Sequence, residues 1–201
     1  MKRESTKIKV MKDLNISQFP KITRVGQIIE GTKLIKSKKY VLYNTRLNLV
    51  WDDNLNKDLR TQMLSIVYVF TINGVVVKIG RTDGKSGIMA GMNFYLGAGT
   101  DDPGRNRFII NKFMRNAIDV GDIVEVYMTY EIPTPQKRNT LFGERMLTTH
   151  QSSIQTEESS LQEYFQVTGK YPEWNYQEAG RKYPISLCNE YRNYDAKRKI
   201  K

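Results

Sequence analysis

Residues 65–80 read SIVYVFTINGVVVKIG and determine the fold prediction for this chain. The first half is a run of β-branched and aromatic residues, which is typical of a strand. Asn73-Gly74 is the dipeptide most typical of a two-residue hairpin turn, because both residues tolerate the positive φ that this turn requires. Residues 75–79 form a second β-branched run, and Gly80 ends it. The stretch therefore predicts a β-hairpin.

The residues after the hairpin alternate between helical and extended patterns. Apolar spacing predicts a third strand at 123–132 and helices at 86–96, 105–118, 140–150 and 156–167. Residues 97–104 are rich in glycine and are expected to form a loop. Pro133 and Pro135 should end the third strand. This order predicts an α+β fold with a small central antiparallel three-stranded sheet flanked by helices.

The first 62 residues are strongly basic and contain short apolar pieces at 25–29, 40–43 and 47–51. Glycine and asparagine separate these pieces, which favours short strands over long helices. The segment is therefore expected to be a β-rich extension of the core. Its densest basic run, residues 33–39, is consistent with a solvated turn and equally with a contact to DNA.

The composition limits the possible functions. The chain has 201 residues and a formal net charge of +11, with a pI of about 9.6. Excess lysine and arginine attract phosphate backbones, so the charge points to nucleic acid as a partner. Cys188 and His150 are the single cysteine and histidine, which excludes a disulfide within the chain and a cysteine-built or histidine-rich metal site. A catalytic metal would rest mainly on carboxylates, which favours Mg²⁺.

Membrane and secretion signals are not apparent in the sequence. No apolar run approaches the ~20 residues that span a bilayer. The first residues, MKRES, are not followed by the apolar segment of a secretory signal. A cytoplasmic location is therefore expected.

Four short motifs occur in the order found in GIY-YIG nucleases. Ile66-Val67-Tyr68 matches the first motif of that family, and Lys78-Ile79-Gly80 matches the second, which normally reads Tyr-Ile-Gly. Glu158-Ser159-Ser160-Leu161 matches the glutamate helix, and Pro172-Glu173-Trp174-Asn175 matches the closing asparagine. Between residues 64 and 175 the chain thus resembles the GIY-YIG family. The lysine in the second motif resembles a restriction-endonuclease branch of it.

The resemblance implies a metal-dependent endonuclease. Hydrolysis of a phosphodiester requires a nucleophilic water, stabilisation of charge on the phosphate, and assistance to the leaving oxygen. The matched Glu158 would hold Mg²⁺, with Mn²⁺ as a substitute, and the metal would neutralise phosphate charge. Glu157 and Glu163 are weaker candidates for the same ligand.

The resemblance also implies roles for four other residues. Tyr68 would accept a proton from the attacking water, although an ordinary tyrosine needs a nearby cation to do so near neutral pH. Lys78, expected directly across the hairpin, would supply that charge or position the water. Tyr95 would hydrogen-bond the phosphate, and Asn175 would support the site from behind.

One position departs from the family pattern. The family helix bears an arginine, expected to stabilise charge on the scissile phosphate, one turn before a tyrosine or histidine. Aligning Tyr95 with the latter places Gly91 at the arginine position. Three explanations are open: an inactivated variant, a natural inactive homologue, or an enzyme in which Arg81 or another arginine serves instead. The first is preferred.

Basic residues in three places are predicted to contact DNA. They are Lys36, Lys38 and Lys39 in the N-terminal segment, Arg81 and Lys85 after the hairpin, and Arg105 and Arg107 in the second helix. The expected units are a DNA-recognition or dimerisation segment (1–62), a catalytic core (63–180) and a basic tail (181–201).

The leading hypothesis is a type II restriction endonuclease that acts on double-stranded DNA. One active site per chain suggests a homodimer, and a restriction enzyme implies a companion methyltransferase encoded nearby. A phage or mobile-element nuclease is the second hypothesis. A catalytically inactive DNA-binding module is the third, and Gly91 supports it. A basic structural protein would explain the charge but not the order of the motifs.

Overall fold

The computed structural model describes residues 13–35, 42–43, 45–83, 86–100, 103–149 and 152–199. The strands in these ranges are β1 (Thr23–Leu34), β2 (Thr45–Trp51), β3 (Ser65–Ile72), β4 (Val75–Thr82), β5 (Val124–Glu131), β6 (Thr134–Thr140) and β7 (Gly143–Thr149). The helices are α1 (Asp58–Thr61), α2 (Gly87–Leu96), α3 (Arg105–Asp119), α4 (Ser153–Thr168) and α5 (Ile185–Lys199). A short 3₁₀ helix, Ile16–Gln18, precedes β1.

Five strands form one antiparallel sheet in the order β2-β1-β5-β3-β4. The α+β class and the predicted hairpin with its third strand are confirmed as β3, β4 and β5. The predicted three-stranded sheet is too small. Strand β1 pairs with β5, for example Gln27 with Glu125, and β2 pairs with β1. Unpaired strand edges attract further strands, and here the N-terminal segment completes the edge of β5.

The turn of the β3–β4 hairpin has the geometry that its sequence predicts. Asn73 and Gly74 have φ values of 49° and 80°, so both adopt the positive φ of a type I′ turn. The Asn73 side chain also accepts a hydrogen bond from the Ile123 amide at 2.9 Å and donates one to Asp122 at 2.8 Å. These bonds tie the turn to the residues that lead into β5.

Helices cover both faces of the sheet. On one face, Ile66 and Phe70 of β3 lie in a core with residues of α2 and α3. On the other face, Val67 and Val69 pack with Leu161 of α4. Alternate residues of β3 therefore belong to different cores, so both sides of this strand are buried.

The basic tail, for which the sequence shows no clear pattern, contains helix α5. It packs on α3, where Phe108 lies between Tyr191 and Tyr194 with ring centroids 5.4 and 5.2 Å away. In the part of the chain that the structure describes, no helix is long and apolar enough to cross a membrane.

The predicted helix at 140–150 is wrong. Residues 134–149 form instead a separate two-stranded hairpin, β6–β7, with Arg138 opposite Arg145. The Thr140 hydroxyl donates to the Gly143 carbonyl at 2.8 Å and accepts from the Phe142 amide at 3.2 Å. Gly143 has a φ of 95°, which a helix does not allow. Local turn chemistry therefore overrides the apolar spacing of this stretch.

A buried arginine ties the N-terminal strands to the core. Arg115 of α3 is 3% exposed and donates to both carboxylate oxygens of Glu30, at 2.8 and 2.6 Å. It also donates to the Thr45 carbonyl at 2.8 Å, and its guanidinium lies 3.7 Å from the centroid of the Tyr43 ring. One side chain therefore links β1, β2 and α3.

Replacing Arg115 with methionine should lower the free energy of unfolding by roughly 3 kcal/mol, because Glu30 and the Thr45 carbonyl lose a charged donor. Urea denaturation followed by circular dichroism measures this change. Arg192→Met, on the exposed side of α5, is the control and should change stability by less than about 0.5 kcal/mol. Equal stabilities of the two variants would contradict the prediction.

Candidate active site

The site is centred on Tyr68, which lies on β3 directly opposite Gly80 of β4. A Cβ atom at position 80 would lie 2.5 Å from the Tyr68 ring and hydroxyl. Such a contact is far inside van der Waals distance, so only glycine lets the ring take this position. The glycine of the Lys78-Ile79-Gly80 motif is therefore explained by the close approach of the tyrosine.

Tyr95 of α2 completes a pair of phenols. Its hydroxyl lies 2.7 Å from the Tyr68 hydroxyl, a hydrogen bond in which either oxygen can donate. Both rings also pack edge-on or tilted against Phe70, with centroids 5.3 and 5.5 Å away. The two tyrosines that the sequence proposes for proton transfer and phosphate binding are thus brought into direct contact.

Burial raises the pKa of both tyrosines. The pKa of Tyr68 lies well above its ordinary value, first because of burial, with Tyr95 and the glutamates nearby adding to the rise. The pKa of Tyr95 is raised by burial, although its bond to Tyr68 opposes the change. Both hydroxyls therefore keep their protons near neutral pH. Burial therefore works against the proton-acceptor role that the motif implies for Tyr68.

Lys78 lies on the same face of the hairpin as Tyr68, but not directly across from it. Its partner in the register is Phe70, two pairs further along the hairpin. Lys78 is 9% exposed, and its Nζ atom donates a hydrogen bond to the Ile79 carbonyl at 3.4 Å. Burial lowers the pKa of this amine, against the opposing charges of Glu178 and Glu157. Burial thus favours the neutral form of Lys78, which is the form that can accept a proton.

Glu157, rather than Glu158, brings a carboxylate to the site. The Glu157 side chain is 18% exposed, and its carboxylate forms an ion pair with the Arg81 guanidinium at 3.1 Å. Burial raises its pKa, while Lys78 and Arg81 pull it down. Glu158 and Glu163 are both exposed. The position predicted as metal ligand from the motif is therefore one residue away from the carboxylate whose charge acts on Lys78.

Helical geometry explains this correction. Leu161, Tyr164 and Thr168 form the buried stripe of α4. Glu157 precedes Leu161 by four residues and lies on that same face, whereas Glu158 is turned about 100° away. The buried stripe, extended backwards by one turn, would have identified Glu157 from the sequence.

Glu178 is a second acidic group at the site, and sequence reasoning missed it. The side chain is exposed, yet its charge acts on Lys78, on Glu157 and on both tyrosines. It lies in the turn that follows Asn175, where the Ala179 amide donates to the Asn175 carbonyl at 3.1 Å. No motif marks this position, because only the folded turn brings it near β4.

Asn175 holds the outer edge of β4 in place. Its side-chain amide donates to the Ile79 carbonyl, and its side-chain oxygen accepts from the Ile79 amide, both at 2.8 Å. The Trp174 amide donates to the Val77 carbonyl at 2.7 Å. Asn175 is fully buried. Its two bonds pair with the backbone of the edge strand next to Lys78, as a neighbouring strand would. This geometry agrees with the supporting role proposed from the sequence.

Gly91 lies where α2 crosses the end of β4. A Cβ atom at this position would lie 3.2 Å from the Thr82 side chain, tighter than most real contacts. Gly91 therefore has a packing reason of its own, and an arginine here would have to displace Thr82 or α2.

Two arginines lie near the reactive groups. Arg81 pairs with Asp83 and with Glu157, each at 3.1 Å. Arg107 of α3 lies 3.8 Å from the centroid of the Phe94 ring, and its charge opposes the rise in the pKa of Tyr95. Both bring positive charge near the phenol pair and Glu157.

Some of the predicted DNA-binding residues lie within the described ranges, and others do not. Arg105 and Arg107 lie in the first turn of α3, which Gly104 precedes without a side-chain cap. This helix end therefore adds the partial positive charge of its free amides. Lys36, Lys38, Lys39 and Lys85 lie outside the described residues.

The acidic groups fit Mg²⁺ better than a metal that needs a preformed cage. Among the described residues, no group of three or more Asp, Glu, His or Cys side chains could hold an ion. Mg²⁺ is commonly held by one or two carboxylates, with water and substrate phosphates as the other ligands. Glu157, with Glu178 at the rim, matches that requirement.

Comparison with known proteins gives fold likeness only. No protein-family model matches the sequence, and no curated protein matches it. Among solved structures, a mutant of EndoII from bacteriophage T4 is similar with a TM-score of 0.42 and 15% identity, over 77% of this chain and 90% of that one. Restriction endonuclease HPY188I in complex with product DNA is similar with a TM-score of 0.41 and 15% identity, over 80% and 84%.

Gly80→Ala should disturb the site through Tyr68. The new Cβ would push the ring away and lengthen its 2.7 Å bond to Tyr95. We expect a loss of about 1–3 kcal/mol in the free energy of unfolding, which is usual for overpacking. Gly104→Ala is the matched control, since no atom lies within 4 Å of a Cβ there. Chemical denaturation of both variants measures the difference, and a Gly80→Ala protein as stable as Gly104→Ala would refute the packing account.

Proposed function

We propose that this chain is a metal-dependent endonuclease that hydrolyses phosphodiester bonds in double-stranded DNA. The observation that carries the proposal is the buried Lys78, which lies on one sheet face with Tyr68 and within electrostatic reach of Glu157. A buried amine with a lowered pKa, beside hydroxyl donors and a carboxylate, is typical of hydrolytic sites. The net charge of +11 supports a polyanionic substrate.

Lys78 is the proposed general base. Burial favours its neutral form, which can accept a proton from a water that attacks the phosphorus. The Ile79 carbonyl and the Asn175 bonds to Ile79 hold the backbone next to it. The proton leaves the water for the Lys78 amine, and the oxygen forms the new bond to phosphorus while the bond to the leaving oxygen breaks.

The phenol pair is proposed to bind the phosphate. Because Tyr68 and Tyr95 both stay protonated, one hydroxyl can donate to the other and the outer one to a phosphate oxygen. Donors that are fixed before the reaction stabilise developing negative charge at little reorganisation cost. Arg81 and Arg107 would add charge at the same place and fulfil the role of the arginine that is absent from position 91.

Glu157 is the proposed metal-holding residue, in place of Glu158. A bound Mg²⁺ would neutralise charge on the phosphate and assist the leaving oxygen. The ion pair with Arg81 opposes the rise in the pKa of Glu157 that burial causes. When DNA binds, Arg81 is free to exchange this carboxylate for a phosphate, since guanidinium groups bind both.

The two neighbouring glutamates allow a matched test. Glu157→Gln should reduce cleavage of a supercoiled plasmid in Mg²⁺ by at least about 100-fold, because several kcal/mol of charge stabilisation are lost. Glu158→Gln should cleave within about twofold of the unmodified chain, since an exposed charge on a surface contributes little. Calorimetric titration with Mn²⁺ gives a second readout, with weaker binding expected for Glu157→Gln only. The reverse ranking would restore Glu158 as the ligand.

The pH dependence tests the base. Below its pKa, Lys78 carries a proton and cannot accept another, so cleavage should increase as pH rises through that pKa. Burial places this pKa below the ordinary lysine value, so the rise should occur at a lower pH than a solvated lysine would give. Lys78→Arg stays protonated, so its rate should fall by about 100-fold or more, without the rise. An unchanged pH profile in Lys78→Arg would exclude Lys78 as the base.

A type II restriction endonuclease is the more specific proposal. The resemblance in the second motif supports it, and we accordingly propose a homodimer, a methyltransferase encoded nearby and a cytoplasmic location. The assignment of residues 1–62 to DNA recognition or dimerisation and of 181–201 to a separate tail belongs to the same proposal. A phage or mobile-element nuclease would use the same chemistry on a different target.

An inactive DNA-binding module is the competing proposal from a different class, and Gly91 favours it. It predicts salt-sensitive binding of a duplex with no cleavage in Mg²⁺ or Mn²⁺, either by this chain or by Gly91→Arg. Cleavage by this chain as it stands would exclude it and would show that another arginine acts in place of position 91.

A further inference from the structure

Among the described elements, the β6–β7 hairpin is the one least covered by the rest of the fold. Residues 135–139 and 141–146 are all exposed, although they belong to both faces of the hairpin. An isolated two-stranded hairpin is only marginally stable in water. A hairpin of this kind gains most of its order from a partner that covers it.

The two faces of the hairpin differ in charge. Arg138 and Arg145 lie directly opposite each other, and Gln136 accepts a hydrogen bond from Arg138 at 3.2 Å. Among the described residues, neither arginine forms an ion pair. On the other face, Lys137 pairs with Glu144, so that face is neutral. The positive charge of the hairpin is therefore concentrated on one side.

The two opposed arginines destabilise the free hairpin. Like charges directly across a strand pair are unfavourable, and no acidic side chain in the described structure offsets them. An anion placed between them would remove the repulsion. Arginine and glutamine are also the side chains that bind guanine and adenine edges with two hydrogen bonds. The chemistry of this face thus matches DNA more closely than an apolar or acidic protein surface would.

The tip of the hairpin is apolar. Leu141 is 98% exposed and Phe142 is 83% exposed, and the Arg145 guanidinium lies 5.9 Å from the centroid of the Phe142 ring. Apolar residues flanked by arginines enter between base steps in several kinds of DNA-binding protein. Such side chains would be costly at the tip of an arm that meets only water.

The hairpin also lies next in the chain to the helix that carries Glu157. It runs from the end of β5 to Ser152, the N-cap of α4, and Glu157 follows in the first turns of that helix. Its seven-residue strands extend about 20 Å at the usual rise per residue. The DNA major groove, about 12 Å wide, admits a two-stranded β-ribbon.

We propose that β6–β7 is a groove-reading arm, which inserts its Arg138–Arg145 face and its apolar tip into duplex DNA bound at the active site. The inference rests on the proposed function, since it places the same substrate against a second surface. It assigns DNA contact to a hairpin whose second strand lies in a stretch that the sequence predicts as a helix.

The test compares the two faces of one hairpin. The probe is a fluorescent 30-base-pair duplex of mixed sequence, and anisotropy gives its affinity across a series of salt concentrations. Arg138→Gln with Arg145→Gln should weaken binding about tenfold or more and reduce the salt slope by about 2, as the loss of two phosphate contacts requires. Lys137→Gln with Glu144→Gln leaves the net charge unchanged and should bind within about twofold of the unmodified chain.

Three other outcomes would overturn the inference. If the arginine variant binds and cleaves DNA like the unmodified chain, the hairpin is not a DNA contact, while the proposed nuclease function stands. If the unmodified chain does not bind the duplex, both proposals fail together. If Leu141→Ser with Phe142→Ser converts a dimer to a monomer by light scattering but keeps the DNA affinity per chain, the tip is a contact between copies. An unchanged circular dichroism spectrum shows that each variant is folded.

Discussion

The close approach of the Tyr68 ring to Gly80 is the constraint on which the site depends. It fixes the tyrosine over the paired strand, and the hydroxyl then meets Tyr95 of α2 at 2.7 Å. The same strand pair places Lys78 on that face, two residues before Gly80. Any side chain at position 80 would move the phenol, and with it the hydrogen bond that links the sheet to α2. The glycine is thus a requirement of the site's geometry as much as of the hairpin.

The burial that shapes this site also sets its protonation. It raises the pKa of both tyrosines and lowers that of Lys78, so burial opposes the charged form of all three groups. Two neutral hydroxyls are hydrogen-bond donors, and a neutral amine is an acceptor. The acidic residues oppose the effect on Lys78, and Arg81 opposes the rise in the pKa of Glu157 that burial causes. The proposed mechanism follows this pattern by giving the donor role to the tyrosines and the base role to Lys78, whereas the motif alone suggests Tyr68 as the base.

Local patterns account for much of the fold. Asn73-Gly74 and its flanking β-branched runs define the hairpin, and apolar spacing locates α2, α3 and α4 to within a few residues. The pairing of β1 with β5 could not be predicted in this way, because it joins segments about a hundred residues apart and depends on which sheet edge is free. The 140–150 stretch failed for a different reason: a Thr-Gly turn outweighs a weak apolar periodicity.

Part of the site could also be predicted from the sequence. Tyr68, Lys78, Tyr95 and Asn175 come together as the motif order suggests. The motif match points to Glu158, whereas the buried stripe of α4 points to the neighbouring Glu157, because a motif match does not specify which residues share a helix face. Glu178 had no sequence signal, since its effect on Lys78 acts through space.

Several features of this protein are unfavourable in the free chain and become favourable beside a polyanion and a cation. Lys78 is a buried amine, Glu157 and Glu178 repel each other, and Arg138 faces Arg145 across a strand pair. Natural proteins keep such conflicts mainly where function requires them. In the proposed complex, a metal ion would offset the repulsion between the two glutamates, and the phosphates would offset the repulsion between the two arginines. A plain basic structural protein would have no reason to bury the lysine or to pair the glutamates beside it. The placement of these groups, more than the total charge, is what the proposed nuclease function rests on.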